Sequence, residues 1–335
     1  MATVNVLVTM PFPEPLLARI RAVAPEIRVA RDEPERADYS DVDVLYAMSL
    51  PRKVAEAPRL KWVQLHMAGP DSLHEHPIYT DSAVALTTTS GVHAATIAEY
   101  AITVLLALAH RVPRMIEWKA RGGWPQDAER WPLFVPTEVR GATLGLIGYG
   151  SIGRELARIA KTAFGMKILA CKRDPSQRRD PGYCRAGTGD PEGLLPDAWL
   201  GPDRLYELLA GSDVVVICAP LTRETRRVFD AAAFRAMKPS AYFINVGRGG
   251  SVDETALVQA LREGRIAGAA IDVFAQEPPA QGHPLYALEN VIVSPHVSGF
   301  LPTYDEHCTD LFAENLRRYL AGRPLLNLVD RAVGY

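Results

Sequence analysis

An arginine, a glutamate and a histidine stand far apart in this 335-residue chain, each a few residues after a run of β-type apolar residues. The three segments read Asn245-Val246-Gly247-Arg248-Gly249-Gly250, Asp272-Val273-Phe274-Ala275-Gln276-Glu277-Pro278 and Ser294-Pro295-His296-Val297-Ser298-Gly299. If the runs are strands of one parallel sheet, the segments share its carboxyl edge, where open α/β sheets bind ligands. An arginine there grips a carboxylate through its planar fork and polarises a neighbouring carbonyl. Imidazole titrates near neutrality, so a histidine there can protonate a carbonyl oxygen, and a carboxylate beside it fixes the ring. Arg248, Glu277 and His296 together therefore supply what hydride transfer to a 2-oxo acid requires, with His296 as acid in that direction and base in reverse. Singly, each has a plainer reading as a turn cap, a surface ion pair or a satisfied buried ring. Their order, behind the motif described next, favours the shared one.

That motif is Gly148-Tyr149-Gly150-Ser151-Ile152-Gly153, between an apolar run over 143–147 and an amphipathic one over 154–160. In a strand-turn-helix setting Gly148 makes the tight turn, Gly150 admits a pyrophosphate and Gly153 lets helix and strand approach. The helix N-terminus then attracts the anion. An NAD site usually carries an acid at the end of the next strand, but this chain reads Ala170-Cys171-Lys172-Arg173-Asp174. Lys172 and Arg173 suit a ribose 2′-phosphate, so NADP is preferred over NAD. The alternative is a solvated basic turn, with Asp174 taking the ribose after a shift of a residue or two.

These segments need a scaffold. Strand candidates over 4–8, 42–46, 62–65 and 84–87 alternate with helical segments, as in a small α/β unit with a parallel sheet. A helical apolar pattern over 94–119 follows, with Pro113 marking a kink or break. Six further strands are expected over 143–147, 167–171, 214–218, 241–245, 268–271 and 291–293, a doubly wound series. The closing helix, over about 303–320, is expected to pack back on the N-terminal unit. The domains then cover 1–95 with 300–335, and 96–299. Residues 174–203, dense in Gly, Pro, Asp and Arg, read as a long loop, either functional or a tolerated insertion.

A net charge of −2 predicts no general attraction to nucleic acid or to an anionic membrane. No apolar run reaches membrane-spanning length, and the start shows no signal-peptide pattern. Cys171, Cys184, Cys218 and Cys308 suggest neither a disulfide framework nor a metal site, so a reduced cytoplasm is expected. His66, His74 and His76 lie close in sequence without metal-ligand spacing and are read as structural or surface residues, His66 alternatively as near the substrate.

With Pro220-Leu221-Thr222 and Thr225 added in order, these motifs make the chain resemble the D-isomer-specific 2-hydroxyacid dehydrogenase family over nearly its whole length. The resemblance implies a Rossmann domain and a smaller, discontinuous, flavodoxin-like α/β substrate domain, with Arg248, Glu277 and His296 catalytic. It also implies that Asp272 contacts the nicotinamide amide, that Ala219 and Pro220 line the dinucleotide, and that Val246 and Gly247 flank its nicotinamide end. Thr225, Ser298 and Gly299 belong to motifs assigned to the same cofactor site. Met67-Ala68-Gly69-Pro70-Asp71 looks like the loop whose amides hold the substrate carboxylate; Pro70 lacks an N–H, which leaves Ala68 and Gly69 as donors. A homodimer through the Rossmann domain is implied too, and Trp118, Trp124 and Trp131 offer aromatic area for it. Some relatives are instead non-catalytic, dinucleotide-sensing corepressors on the same scaffold. Formate-type relatives generally carry Gln where Glu277 stands, which argues against that substrate.

Overall fold

The computed structural model describes residues 3–80 and 83–335. It divides into two compact units, Met1–Val92 with Pro181–Arg185 and Leu301–Tyr335, and His93–Asp180 with Ala186–Phe300.

The first unit holds a five-stranded parallel sheet of Val4–Val8 (β1), Ile27–Arg31 (β2), Val44–Ala47 (β3), Trp62–Leu65 (β4) and Ala85–Thr87 (β5). Its order, β2-β1-β3-β4-β5, is that of flavodoxin. Strand β2 adds to the expected set. It lies at the sheet edge and keeps Arg28 exposed, so it lacks the apolar run that marks a strand covered on both faces. The helices Glu14–Arg21 and Tyr304–Leu320 bury Leu16, Leu17, Ile20, Leu311, Phe312 and Leu316 in one core with Val6, Val8, Tyr46 and Trp62. Each such side chain contributes about 1.5–3 kcal/mol relative to exposure.

The second unit holds seven parallel strands: Thr143–Ile147 (β6), Lys167–Cys171 (β7), Ala198–Leu200 (β8), Val214–Ile217 (β9), Tyr242–Asn245 (β10), Gly268–Ile271 (β11) and Val291–Val293 (β12). The order β12-β11-β10-β9-β6-β7-β8 reverses direction between β6 and β9, which makes their carboxyl ends the switch point of a doubly wound sheet. Seven strands replace the expected six. The extra one, β8, falls inside 174–203, so that stretch is not one uninterrupted loop. With three residues, between Pro196-Asp197 and Gly201-Pro202, β8 is too short for a period of two to register.

The helical pattern over 94–119 splits into Ala94–Ala109 and Val112–Arg121, bent by 59°. The break is at Arg111, in the left-handed region at φ 57°. Pro113 falls in the first turn of the second helix, where no N–H is needed. The first helix buries Ile97, Ala98, Ala101, Val104, Leu105 and Leu108 in the core beneath β6, β7 and β9. Among the described residues no single helix is long and apolar enough to cross a membrane; only this bent pair, taken together, matches the length and composition of one.

Candidate active site

Strand β6 runs into Gly148, whose φ of 98° few residues but glycine adopt. A Cβ there would also lie 2.8 Å from the backbone nitrogen of Ala219, which follows β9, so the turn sits at the switch point. At Gly153 a Cβ would meet the Gly148 carbonyl oxygen at 2.5 Å, whereas at Gly150 it would meet nothing within 4 Å. The outer glycines are thus demanded by packing, and the middle one leaves open space at the N-terminus of the helix Ser151–Phe164. No side chain caps that terminus. Its first amides are the anion-binding groups a pyrophosphate needs, and the residues fit a dinucleotide. Tyr149 departs from the expectation: its side chain is buried, donates from its hydroxyl to Asp190 Oδ2 at 2.8 Å and packs on Trp199. Only its backbone belongs to the turn. Ile152 packs partly into the core, while Ser151 opens the helix.

After β7 the basic pair divides. Lys172 Nζ donates to the Gln177 carbonyl at 2.7 Å, and burial, with the Arg154 charge nearby, lowers its pKa. Arg173 is exposed. Asp174 Oδ1 accepts from Ser176 N at 2.9 Å and Ser176 Oγ at 2.6 Å, which turns this acid into its own loop. The loop beyond is fixed from beneath by the helix Ser151–Phe164. The buried Arg154 donates to the carbonyls of Asp190 and Arg178 and faces Asp180 at 3.2 Å, and Glu155 accepts from Gly189 N at 2.5 Å. Sequence reasoning misses this anchorage, because Arg154 and Glu155 look like ordinary charges on an amphipathic helix.

At the carboxyl edge of β9, Ala219 is buried and Thr225 Oγ1 donates to the Pro220 carbonyl at 2.7 Å while accepting from Thr222 N at 2.7 Å, which closes this loop on itself. From β10 the buried Asn245 takes Gly247 N on its oxygen at 3.1 Å and gives its amide to the Arg248 carbonyl at 3.2 Å. One side chain thereby shapes the turn carrying Val246, Gly247 and Arg248. The helix Glu254–Arg262 that follows is capped by Asp253, whose carboxylate accepts from Thr255 N and Ala256 N. A cap of this kind is worth about 1 kcal/mol. Glu254 then accepts from Ala275 N at 2.7 Å and ties the Arg248 segment to the Glu277 segment.

Glu277 Oε1 accepts from Phe274 N at 2.9 Å, and Glu277 Oε2 lies 2.7 Å from His296 Nδ1. The ring is 52% exposed, so Nε2 is the nitrogen left for a reacting atom. His296 itself has φ 54°, uncommon for a residue with a side chain. Asp272, only 1% exposed, organises this turn: its carbonyl accepts His296 N at 2.9 Å, and its carboxylate accepts Ser294 Oγ at 2.6 Å, Val297 N at 2.9 Å and Ser298 N at 3.1 Å. The Ser298 amide is thus held by protein, and the Gly299 carbonyl lies 2.7 Å from His93 Nδ1. Burial, with the nearby His296 charge, keeps His93 below the usual imidazole range against the opposing Gly299 bond.

In the first unit, His66 is buried, not a surface residue. Its Nδ1 meets the Tyr46 hydroxyl at 2.7 Å and its Nε2 faces Asp305 Oδ1 at 3.3 Å. Thr89 N donates to the Met67 carbonyl at 2.9 Å, so the stretch leading into Ala68 and Gly69 is held from both sides. No group of His, Cys, Asp and Glu among the described residues could hold a metal ion. No disulfide joins the four cysteines, and burial pushes Cys171 to about 11 and Cys218 and Cys308 to about 12, which leaves these three without a nucleophile's thiolate.

Residues 102–298 match the family model described as D-isomer specific 2-hydroxyacid dehydrogenase, NAD binding domain. The chain belongs to the D-isomer-specific 2-hydroxyacid dehydrogenase family. It is an NAD(P)-dependent oxidoreductase of 2-hydroxy acids, acting on a CH–OH group. Within the family it is similar to the glyoxylate reductase of Thermococcus onnurineus, at 35% identity over 98% of this chain and 96% of that one. Among solved structures it resembles a D-isomer specific 2-hydroxyacid dehydrogenase from Xanthobacter autotrophicus in complex with NADPH and MES, with TM-score 0.79, 28% identity and full coverage of both chains, 100% each. An NADPH-dependent glyoxylate/hydroxypyruvate reductase from Sinorhizobium meliloti, in complex with NADP and sulfate, gives TM-score 0.77 and 25% identity over 99% of this chain and 100% of that one.

Proposed function

We propose that this chain reduces a small 2-oxo acid of the glyoxylate or hydroxypyruvate class, preferring NADPH to NADH, with His296 as the general acid. The observation that carries the reading is the 2.7 Å pair of His296 Nδ1 with Glu277 Oε2, which orients the ring and leaves Nε2 for the substrate oxygen. Reduced nicotinamide supplies, when bound, the hydride that C2 of the acid accepts. Arg248 binds the substrate carboxylate and polarises the carbonyl, and Glu277 offsets the positive charge on His296 before the proton leaves. In the reverse direction His296 takes the hydroxyl proton. Ala68 and Gly69 are assigned to the same carboxylate on the strength of their motif. The substrate class is supported by the Thermococcus and Sinorhizobium relatives, both named for such reductions. The NADPH preference is supported by Arg173 and by the Asp174 carboxylate being taken up by Ser176. The protein is further read as a homodimer assembled through its second unit.

The test is a panel of 2-oxo acids (glyoxylate, hydroxypyruvate, pyruvate and bulkier homologues) assayed with NADPH and NADH, for the native chain and His296→Gln. The variant is expected to lose roughly 10²–10⁴ in turnover while still binding NADPH. Near-native turnover in the variant would overturn the assignment of His296.

A further inference from the structure

Tyr100 lies on the helix Ala94–Ala109, outside every motif that carries the chemistry, yet its hydroxyl is 2.6 Å from Ser294 Oγ. Ser294 gives its single hydroxyl proton to Asp272 Oδ1 at 2.6 Å. Toward Tyr100 it can therefore only accept, which sets the direction of the chain: Tyr100 to Ser294 to Asp272. Asp272 is the hub of the His296 turn, holding the amides of His296, Val297 and Ser298 as described above. A side-chain-bearing residue stays in the left-handed region, as His296 does at φ 54°, only where its surroundings fix it.

We propose that Tyr100, acting through Ser294 and Asp272, is a positioning residue that holds the His296 turn so that the imidazole keeps its place between Glu277 and the substrate. The inference rests on the reading of His296 as general acid. It adds to Asp272 a role distinct from any contact with nicotinamide, and it brings into the reaction a helix that holds none of the reacting groups. Burial, with the Asp272 charge adding to it, holds the Tyr100 phenol above its ordinary value against the opposing Ser294 bond, so it remains a donor at neutral pH. Phenylalanine at this position keeps the ring's packing and removes only the donor. Ser294 would then lose the proton it accepts, its own bond to Asp272 would loosen, and the turn would sample other conformations.

The experiment compares Tyr100→Phe, Ser294→Ala, Ser294→Thr and His296→Gln by steady-state reduction of the best 2-oxo acid, by NADPH binding, and with NADPH deuterated at the transferred position. Tyr100→Phe is expected to lower kcat about tenfold and Ser294→Ala about ten- to a hundredfold, with NADPH affinity and substrate KM within about twofold of native. Ser294→Thr, which restores the hydroxyl, should recover most of the loss. The isotope effect on kcat should rise in Tyr100→Phe as the chemical step becomes limiting. Native kcat in both Tyr100→Phe and Ser294→Ala beside an inactive His296→Gln would leave His296 as the acid and overturn the positioning role alone. An active His296→Gln would overturn both. Should Ser294→Ala fail to fold, the near-isosteric Tyr100→Phe decides on its own.

Discussion

Glu277 accepts two different donors, Phe274 N–H on Oε1 at 2.9 Å and the His296 ring at Nδ1 on Oε2 at 2.7 Å. A carboxylate can satisfy both, because each of its oxygens only accepts. An amide has one accepting atom and one donating group, so it can serve both only if its oxygen takes the loop amide and its N–H meets an unprotonated Nδ1, which disfavours the doubly protonated imidazole and changes how the ring is held. Glu277→Gln therefore removes a charge and also disturbs the ring or its loop. With the pair partly exposed to water, the electrostatic part is moderate and the geometric part is added to it. Turnover is expected to fall about ten- to a hundredfold, with NADPH affinity unchanged. Steady-state kinetics beside a fluorescence titration of NADPH checks this, and native turnover in the variant would show that the pair does not serve the reaction.

At the scale of elements, the end of β7 is the proposed selector between NADPH and NADH. Arg173, exposed just after the strand, is the residue proposed to meet a 2′-phosphate through its guanidinium fork. A charge-assisted contact of this kind is worth about 1.5–3 kcal/mol, so Arg173→Ala should raise the Kd of NADPH roughly ten- to a hundredfold and leave NADH within about twofold. Equal weakening of both in parallel titrations would end the NADPH preference. Much of this arrangement is legible in the sequence where chemistry and strand periodicity coincide. The glycine turn and the Arg248, Glu277 and His296 segments stand out because rare residue types follow strong apolar runs. Elements whose pattern is polar or very short do not stand out: β2 keeps exposed arginine at a sheet edge, and β8 has only three residues. Tyr100 and Ser294 are equally silent, since a tyrosine on an apolar helix and a serine before a proline acquire meaning only from a contact spanning 194 residues. Arg154 and Glu155 are misleading rather than silent, because helical periodicity alone does not reveal that a charged face is covered by the chain that follows β7.

For the molecule as a whole, the second unit leaves an apolar surface uncovered. Met115, Ile116, Trp124 and Trp131 are 43%, 63%, 80% and 76% exposed, on the helices Val112–Arg121 and Asp127–Phe134 and the turn between them. A lone exposed hydrophobe needs no explanation, but large side chains concentrated in so short a stretch suit a surface covered by a second copy. Arg248, Glu277, His296 and the glycine turn all belong to the second unit of one chain, so assembly is expected to serve stability more than chemistry. Replacing Ile116 and Trp131 by glutamate should put two charges into this apolar surface. At about 2 kcal/mol per substitution, summed over both copies, the pair would raise the dimer dissociation constant roughly a thousandfold. Light scattering after size exclusion at micromolar concentration should show the native protein at twice the chain mass and the double variant at the chain mass. Turnover of the monomeric variant should stay within about threefold of native, because the proposed reacting side chains Arg248, Glu277 and His296 lie in one chain. A native protein that runs as a monomer would refute the homodimer, and a monomeric variant that loses turnover entirely while keeping its helix content would show that the partner contributes to the site.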